Sequence, residues 1–293
     1  MQIFLYIFLK FYRGAERCRI EEKGITFFLL NDLISLRKRV YSLSVTKKFE
    51  MKDKFMEDSI RILSYNLRSG RGMAGDRNIN RTAEVIRSLA ADVAGLQEVR
   101  IYKDLPAEQG DMPGILAEET NMRAYFGRTL DRETFSYGIG ILSACPSELM
   151  EVMMLPQPDR YEQRAVIVTK VRHGNRNFYL LNTHLVFEND AEEVRQEQLR
   201  AIIALVKEKG YVPAILTGDF NAQPDAPCLQ PLREEWGMTD LTEATFPADK
   251  PEIRIDYIAW YPREAFRLLD FKVIDETVAS DHRPIVAELS CAD

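Results

Sequence analysis

Long apolar stretches are missing from this sequence, and residue types that define several kinds of protein are scarce. No run of about 18 apolar residues occurs, which is roughly the length a helix needs to cross a bilayer. The four cysteines are scattered without a CxxC pair, so free thiols are favoured over a disulfide framework. With three histidines and no GxSxG motif, a serine triad, cysteine chemistry and zinc each fit less well than an oxygen-liganded metal.

Apolar residues are plentiful, at 46% of 293 residues, and they suffice for one large core in a single globular domain. Charge is uneven along the chain. Residues 1–57 carry 12 Lys+Arg and 7 Asp+Glu, and since the whole chain has a net charge of −6, residues 58–293 carry −11. This negative charge disfavours broad attraction to a polyanion, so long nucleic acid is not the obvious substrate.

Residues 1–57 are interpreted as an N-terminal extension, either poorly structured or preceding a later start at Met51 or Met56. The extension opens with a short apolar run that lacks a preceding positive charge and a clear cleavage pattern, which makes it a poor signal peptide. The rival interpretation is that residues 1–20 contact an anionic membrane, because their apolar residues are followed by Lys10 and Arg13. We expect a monomer, with the cytoplasm slightly favoured and membrane association or export left open.

Apolar periodicity from Ile60 onward predicts a domain at residues 58–293 that is richer in strands than in helices. Strands are predicted at Ile60–Leu67, Asp92–Leu96, Tyr137–Ser143, Val166–Val171, Phe178–Thr183, Ala214–Thr217, Ile255–Trp260, Leu268–Ile274 and Ile285–Leu289. Helices are predicted at Ile79–Ala90, Gly114–Asn121, Asp190–Lys209 and after Pro227. A doubly wound sheet with one helix per strand therefore fits poorly, and two packed sheets with helices outside fit better. No internal repeat is visible.

Polar side chains gather where the predicted strands end, which is where α/β folds place their sites. A strand can hold such a residue in a defined place, because its apolar residues fix the strand in the core. These candidates are Asn66, Glu98, His184, Asp219, Asn221, Asp256, Asp281 and His282.

Carboxylates and an amide after two buried strands suit a hard divalent cation and a phosphate. Glu98 directly follows a buried strand, and Mg²⁺ needs only one or two firm carboxylates. Asp219 and Asn221 follow another buried strand at alternate positions, so both point to the same side. The alternatives are an ordinary loop carboxylate for Glu98 and turn chemistry for the other two residues.

Histidines supply the side chain best suited to move protons near neutral pH. His282 is the predicted general base, and Asp256, a carboxylate inside an apolar strand, needs such a partner because a buried charge is costly when unpaired. His184 ends a buried strand, where a structural histidine is an equally good reading. His173 lies in a predicted hairpin turn and receives no role.

In their residues and in their order along the chain, these motifs resemble those of the endonuclease/exonuclease/phosphatase superfamily, and above all those of its uncharacterised bacterial members. The resemblance covers residues 58–293, and although each piece is short, the ordered set is specific. The pieces are Ser64-Tyr-Asn, Leu96-Gln-Glu, Tyr137-Gly, Asn182-Thr-His, Gly218-Asp-Phe-Asn, Arg254-Ile-Asp-Tyr and Ser280-Asp-His-Arg-Pro.

The resemblance implies a four-layered α/β sandwich, in which two mixed sheets pack face to face with helices outside. It also implies a divalent metal, Mg²⁺ or Mn²⁺, held by Glu98 with help from Asn66 and Asp281. The chain would then be a metal-dependent hydrolase of phosphate esters.

The same resemblance assigns catalytic roles to the remaining polar residues. His282 activates water while Asp256 orients it, Asp219 and Asn221 position the nucleophile and the phosphate, and His184 hydrogen-bonds the phosphate. The reaction would be in-line attack on phosphorus.

Three functional readings follow, and the first is a phosphodiesterase or phosphatase acting on a small or lipid-linked ester. The second is a nuclease that holds the phosphate backbone with Arg68, Arg71, Arg77 and Arg81. Asn182-Thr-His departs from the Tyr-Pro-Asn segment of abasic-site enzymes, which counts against that nuclease activity. The third reading is a binding module that has lost catalysis.

Overall fold

A computed structural model describes residues 59–239 and 242–291, and these residues contain two six-stranded mixed sheets. The extension predicted at residues 1–57, with its membrane contact at residues 1–20, lies outside the described residues. No helix in the described ranges is both long and apolar enough to span a membrane.

The first sheet combines strands from both ends of the described chain. Its strands are β1 (Ser59–Asn66), β2 (Val93–Tyr102), β3 (Arg123–Asp131), β4 (Phe135–Ser143), β11 (Phe266–Val273) and β12 (Ile285–Cys291). They lie in the order β11-β12-β1-β2-β4-β3. The central pair, β1 with β2, is parallel, and every other pair is antiparallel.

The second sheet is formed by the middle of the chain. Its strands are β5 (Ser147–Met154), β6 (Ala165–His173), β7 (Arg176–His184), β8 (Ala214–Asp219), β9 (Gly237–Met238) and β10 (Asp256–Tyr261). They lie in the order β5-β6-β7-β8-β10-β9. Again only the central pair, β7 with β8, is parallel, so both sheets have the same pattern of strand directions.

The helices are fewer than the strands, as predicted. They are α1 (Ile79–Ser88), α2 (Ala107–Gly110), α3 (Met112–Thr120), α4 (Glu192–Lys209) and α5 (Gln230–Glu235), with 3-10 turns at Arg68–Gly70, Pro227–Leu229 and Arg263–Ala265. The side chain of Asn78 caps α1 by accepting from the N–H of Arg81 at 2.9 Å. At the end of α4, Gly210 adopts φ 64°, a left-handed conformation that glycine reaches without steric cost.

Three apolar layers separate the sheets and helices, which confirms the predicted four-layered sandwich. Ile62 of the first sheet and Ile215 of the second are both fully buried in the cluster between the sheets. Ile86 of α1 packs with Tyr65 of β1 on the outer side of the first sheet. Leu199 of α4 belongs to the cluster that covers the second sheet.

Nine strands and four helices lie where the sequence predicts them, with ends shifted by a few residues, and the helix predicted after Pro227 is α5. The strand after Asp92 is longer than predicted, since β2 continues to Tyr102. The predictions missed β3, β5 and β9, which lie at sheet edges and therefore lack continuously buried apolar runs. The hairpin turn predicted near His173 is confirmed, because it joins β6 to β7.

Candidate active site

The eight predicted site residues converge at one edge of the sandwich. The parallel pairs β1/β2 and β7/β8 end there, and the antiparallel strand β10 begins there, opposite the end of β8. Asp256, the first residue of β10, is the register partner of Asp219, the last residue of β8. The loop before β12 adds Asp281 and His282, and its Ser280 hydroxyl donates to the carbonyl of Asn66 at 2.7 Å.

Asp219 lies at the centre of this group and is almost fully buried, at 1% exposure. Its Oδ1 accepts from the backbone N–H of Asn221 at 3.0 Å, and its Oδ2 accepts from the amide of Asn66 at 3.0 Å. The Nε2 atoms of His184 and His282 lie 3.4 Å and 3.7 Å from the same Oδ2. One carboxylate oxygen therefore links the ends of four separate segments of the chain.

His282 is held by Asp256, as the sequence predicted for this pair. Its Nδ1 lies 3.0 Å from Asp256 Oδ2, and both side chains are buried. Because a carboxylate accepts, Nδ1 carries a proton and Nε2 faces Asp219. The ring of Phe246 packs against the imidazole with centroids 4.8 Å apart, which fixes its orientation further.

Burial and neighbouring charges together raise the pKa values of Asp219 and His282. Burial, together with the charge of Asp256, raises the pKa of Asp219 to about 7. Burial opposes protonation of His282, but the charges of Asp256 and Asp219 outweigh it and raise the pKa of His282 to about 10. Two carboxylates and one imidazolium thus form a tightly coupled unit that holds at least one proton at neutral pH.

His184 is kept neutral by a residue that the sequence reasoning missed. Arg164, 3% exposed, donates through a guanidinium nitrogen to Nδ1 of His184 at 3.1 Å and pairs with Glu162 at 2.9 Å. Burial and then the Arg164 charge hold the pKa of His184 well below its usual range. Because arginine only donates, Nε2 of His184 carries the ring proton and points it towards Asp219. A charged residue directly before β6 was the available signal.

Asn66, Glu98 and Asp281 lie together on the other side of Asp219. The amide of Asn66 donates to Glu98 Oε1 at 3.2 Å as well as to Asp219. Burial raises the pKa of Glu98, to which the nearby charge of Asp281 also contributes. Three carboxylates around one amide make an oxygen-rich, negatively charged corner, and this donor set fits a hard divalent cation.

The backbone is locally bent to present two of these residues. At Glu98 the pairing of β2 with β4 is interrupted between Leu96 and Val99, and Glu98 adopts φ 55°. Asn221 adopts φ 48°, a conformation that asparagine tolerates better than glutamate does. A left-handed residue of this kind costs about 1–3 kcal/mol, so the surrounding contacts must hold Glu98 in place.

The arginines predicted for nucleic-acid contact are partly engaged within the protein. Arg68 Nε pairs with Asp281 at 3.1 Å, and Arg81 pairs with Asp76 at 2.9 Å. Arg77 instead stacks over the ring of Tyr102, with its guanidinium carbon 4.2 Å from the ring centroid.

A buried polar network lies beneath the site and joins the two sheets. Asn182 of β7 donates to the carbonyls of Leu96 and Gly140 in the first sheet at 2.7 Å and 2.9 Å. Its Oδ1 accepts from the amide of Gln97 at 2.6 Å and from the hydroxyl of Thr217 at 3.1 Å. The donors therefore reach the strand segment where the bulge at Glu98 begins.

Comparison with known proteins agrees with this geometry. Residues 63–282 match the Endonuclease/Exonuclease/phosphatase family, and the chain belongs to this family. The enzymes of the family hydrolyse phosphate esters and generally depend on a divalent metal, for which this chain offers candidate ligands. The resemblance predicted from the motifs is thereby confirmed.

Individual relatives are distant in sequence. Carbon catabolite repressor protein 4 homolog 3 of Arabidopsis thaliana is 27% identical over 150 residues, which cover 49% of this chain and 32% of that protein. The match thus spans about a third of that relative. An endonuclease/exonuclease/phosphatase structure from Beutenbergia cavernae is 25% identical with a TM-score of 0.64, covering 80% of this chain and 72% of the other. The mannosyl-6-phosphatase of Bacteroides thetaiotaomicron is 19% identical with a TM-score of 0.62, covering 78% and 99%.

Proposed function

We propose that this protein is a divalent-metal-dependent phosphodiesterase or phosphatase that acts on a small or lipid-linked phosphate ester. The observation that carries the proposal is the convergence of His184, His282 and Asn66 on one buried oxygen of Asp219. A purely structural carboxylate needs fewer partners than this. Such a group can hold water, phosphate and a proton within a few ångströms of one another.

Asp219 is the acceptor for the proton of the attacking water. His282 is held protonated between Asp219 and Asp256, so it stabilises the negative charge of Asp219 until that carboxylate takes the proton of the water. The proposal keeps the predicted His282/Asp256 pair but moves the role of proton acceptor from His282, the predicted general base, to Asp219. The pH dependence of the rate reports this group as a unit and not a single residue.

His184 and Asn221 bind the phosphate. The Nε2–H of His184 is fixed as a donor by Arg164, and Asn221 keeps a second amide N–H after donating to the carbonyl of Leu185 at 3.1 Å. Both donors are preorganised and therefore stabilise charge on the phosphoryl oxygens as it develops in the transition state.

Asn66, Glu98 and Asp281 hold the metal ion, which we propose is Mg²⁺ or Mn²⁺ because the donors are oxygen atoms. The bound ion supplies a positive charge that polarises the phosphoryl oxygens. Arg68, paired with Asp281, sets the orientation of that carboxylate.

A small or lipid-linked substrate is favoured by charge. Residues 58–293 carry a net −11, and two arginines next to the site already form ion pairs with Asp281 and Asp76. Little unpaired positive charge then remains near Arg68 and Arg81 to follow a long phosphate backbone. The enzyme is proposed to act as a monomer.

The test is hydrolysis of bis-p-nitrophenyl phosphate, sphingomyelin, an inositol phosphate and supercoiled DNA, each with Mg²⁺, Mn²⁺ or a chelator. We expect metal-dependent turnover of at least one of the first three, lost on chelation. Rapid cleavage of DNA without turnover of the small or lipid esters would overturn the substrate class.

Two variants connect turnover to the site. His282→Ala and Asp256→Asn each remove part of the proton-transfer group, and we expect kcat to fall by about 10²–10⁴-fold. Asp270→Asn, at an exposed carboxylate of β11, is the matched control and leaves kcat unchanged. Wild-type rates in both site variants would favour the reading as a binding module.

A nuclease is the second candidate, because arginines and aromatic rings alternate on the strands beyond Glu98. Arg100 lies over the ring of Phe135 at 4.3 Å, and Arg77 lies over Tyr102. Such surfaces suit the stacking of bases. If the protein is a nuclease, charge reversal of Arg71 together with Arg77 is expected to abolish DNA or RNA cleavage. If it hydrolyses small or lipid-linked esters, the same substitutions are expected to leave that turnover unchanged.

A further inference from the structure

Three potential metal ligands meet at the end of the sandwich opposite the active site. Asp92 directly precedes β2, Cys145 follows β4 by two residues, and His173 is the last residue of β6. A carboxylate oxygen, the Sγ atom and a ring nitrogen of these residues all lie within 4.8 Å of one another. Glu98 lies six residues after Asp92, roughly 20 Å along the strand at ~3.4 Å per residue, so this cluster is separate from the catalytic group.

The cluster draws its members from both sheets. Val93 pairs with Ser143 in the first sheet, which brings the residues flanking them side by side. His173 belongs to the hairpin between β6 and β7 of the second sheet. The three side chains are partly exposed, so an ion and a solvent ligand have access to them.

The chemistry of the three side chains is that of a zinc site. Thiolate, imidazole and carboxylate are the ligands of Zn²⁺, at about 2.3 Å for sulfur and about 2.0–2.2 Å for nitrogen and oxygen. Ligand atoms on one tetrahedral ion then lie ~3.5 Å apart, so side-chain movements of about 1 Å complete the site. The side chain of Asp92 accepts a hydrogen bond from the backbone N–H of Arg61 at 2.7 Å.

We propose that Asp92, Cys145 and His173 form a second metal site, specific for Zn²⁺, which links the two sheets at the end remote from catalysis. The bound ion takes three protein ligands and one water molecule. Its role is to hold the β6–β7 hairpin against the first sheet. No local motif in the sequence indicates this site, because at least 27 residues lie between one ligand and the next along the chain.

Binding of the ion is coupled to loss of the thiol proton. A cysteine thiol ordinarily has a pKa of about 8.5, so it is mostly protonated at neutral pH without a cation. Since the thiolate is the ligand, Zn²⁺ binding releases about one proton per site and strengthens as the pH rises.

Titration of the full chain with Co²⁺, the spectroscopic substitute for Zn²⁺, tests the site directly. We expect a thiolate-to-cobalt charge-transfer band that reaches its maximum at one equivalent and disappears on addition of Zn²⁺. The oxygen and nitrogen ligands of the active site cannot give this band, so His282→Ala retains it. Failure of the proposed hydrolase function would therefore leave this result unaffected.

Cys145→Ser and His173→Gln identify the ligands. Both variants are expected to weaken Zn²⁺ binding by at least ~100-fold in equilibrium dialysis, since even outer partners of metal ligands contribute 10–100-fold. Cys291→Ser, at a second partly exposed cysteine within residues 59–291, is the matched control and keeps the band. His173 lies next to a hairpin turn, so its substitution leaves folding intact should Cys145→Ser prove unstable. Absence of the band in the wild type, or its persistence in Cys145→Ser, would overturn the proposal.

Discussion

Arg164 shows how one buried side chain determines what another can do. Its guanidinium donates to Nδ1 of His184, which fixes the tautomer and leaves Nε2–H directed into the site. Without that donor, a neutral imidazole is free to place its proton on Nδ1. Nε2 of His184 then no longer donates a hydrogen bond to the phosphate. It becomes an acceptor, which repels phosphate oxygens.

Arg164→Gln is expected to lower kcat by roughly 10- to 100-fold, because a charge-assisted hydrogen bond of about 1.5–3 kcal/mol is lost. The pKa of His184 rises in this variant, since the Arg164 charge contributes to holding it down. Nitrogen-15 NMR of the imidazole measures both tautomer and titration. Arg160→Gln, at an exposed arginine of the preceding loop, is the control. An unchanged tautomer together with wild-type kcat would show that Arg164 is only structural.

Most of the site was predictable from single residues, because polar side chains after buried strands are visible in the sequence. Glu98, Asp219 and His184 were identified in this way, and the structure brings them together. Arg164 was missed because its partner is 20 residues away and across a strand pair. The pKa shifts were also out of reach, since they depend on which charges become neighbours after folding.

The element that determines the position of Glu98 is the bulge in β2. The ladder with β4 opens between Leu96 and Val99, and the amide of Asn182 from the opposite sheet donates to the carbonyls of Leu96 and Gly140, the last register partners before the opening. This arrangement satisfies buried carbonyls that the bulge leaves without a strand partner. A metal-ligand candidate of the first sheet is thus positioned by an amide of the second.

Asn182→Ala is expected to weaken Mn²⁺ binding several-fold and to lower the free energy of unfolding by about 1–3 kcal/mol, because two buried carbonyls lose their donor. Electron paramagnetic resonance of free Mn²⁺ and urea unfolding give the two quantities. Asn177→Ala, at an exposed asparagine of the same strand, is the control. Lower stability with unchanged Mn²⁺ affinity would limit Asn182 to holding the sheets together.

Elements were predicted unevenly, and the reason is burial. Central strands such as β8, which is buried along its whole length, have apolar runs that identify them. The edge strands β3 and β5 alternate between exposed and partly buried residues, so their sequences do not differ clearly from loops. The bulge in β2 depends on a partner 85 residues away, which no local pattern contains.

The whole domain depends on the apolar layer between the sheets. Ile215 lies in its centre at 0% exposure, with residues of both sheets around it. Ile215→Ala leaves a cavity that neither sheet can close independently, so we expect a loss of about 2–5 kcal/mol in the free energy of unfolding. Leu269→Ala, at a partly exposed position of β11, is the control, and urea unfolding measures both. Equal effects of the two substitutions would contradict the central role of this layer.

The two sheets share one pattern of strand directions, and the active-site residues are divided between them. Strands β1 to β4, completed by β11 and β12, have the same arrangement as β7 to β10, completed by β5 and β6. The described residues thus repeat one six-stranded arrangement, and the chain enters it at a different strand in each sheet. In this correspondence Asn66 at the end of β1 matches His184 at the end of β7, and their register partners, Gln97 and Asp219, match each other. The first half contributes Asn66, Glu98, Asp281 and His282, and the second contributes His184, Asp219, Asn221 and Asp256, so neither half holds a complete site by itself.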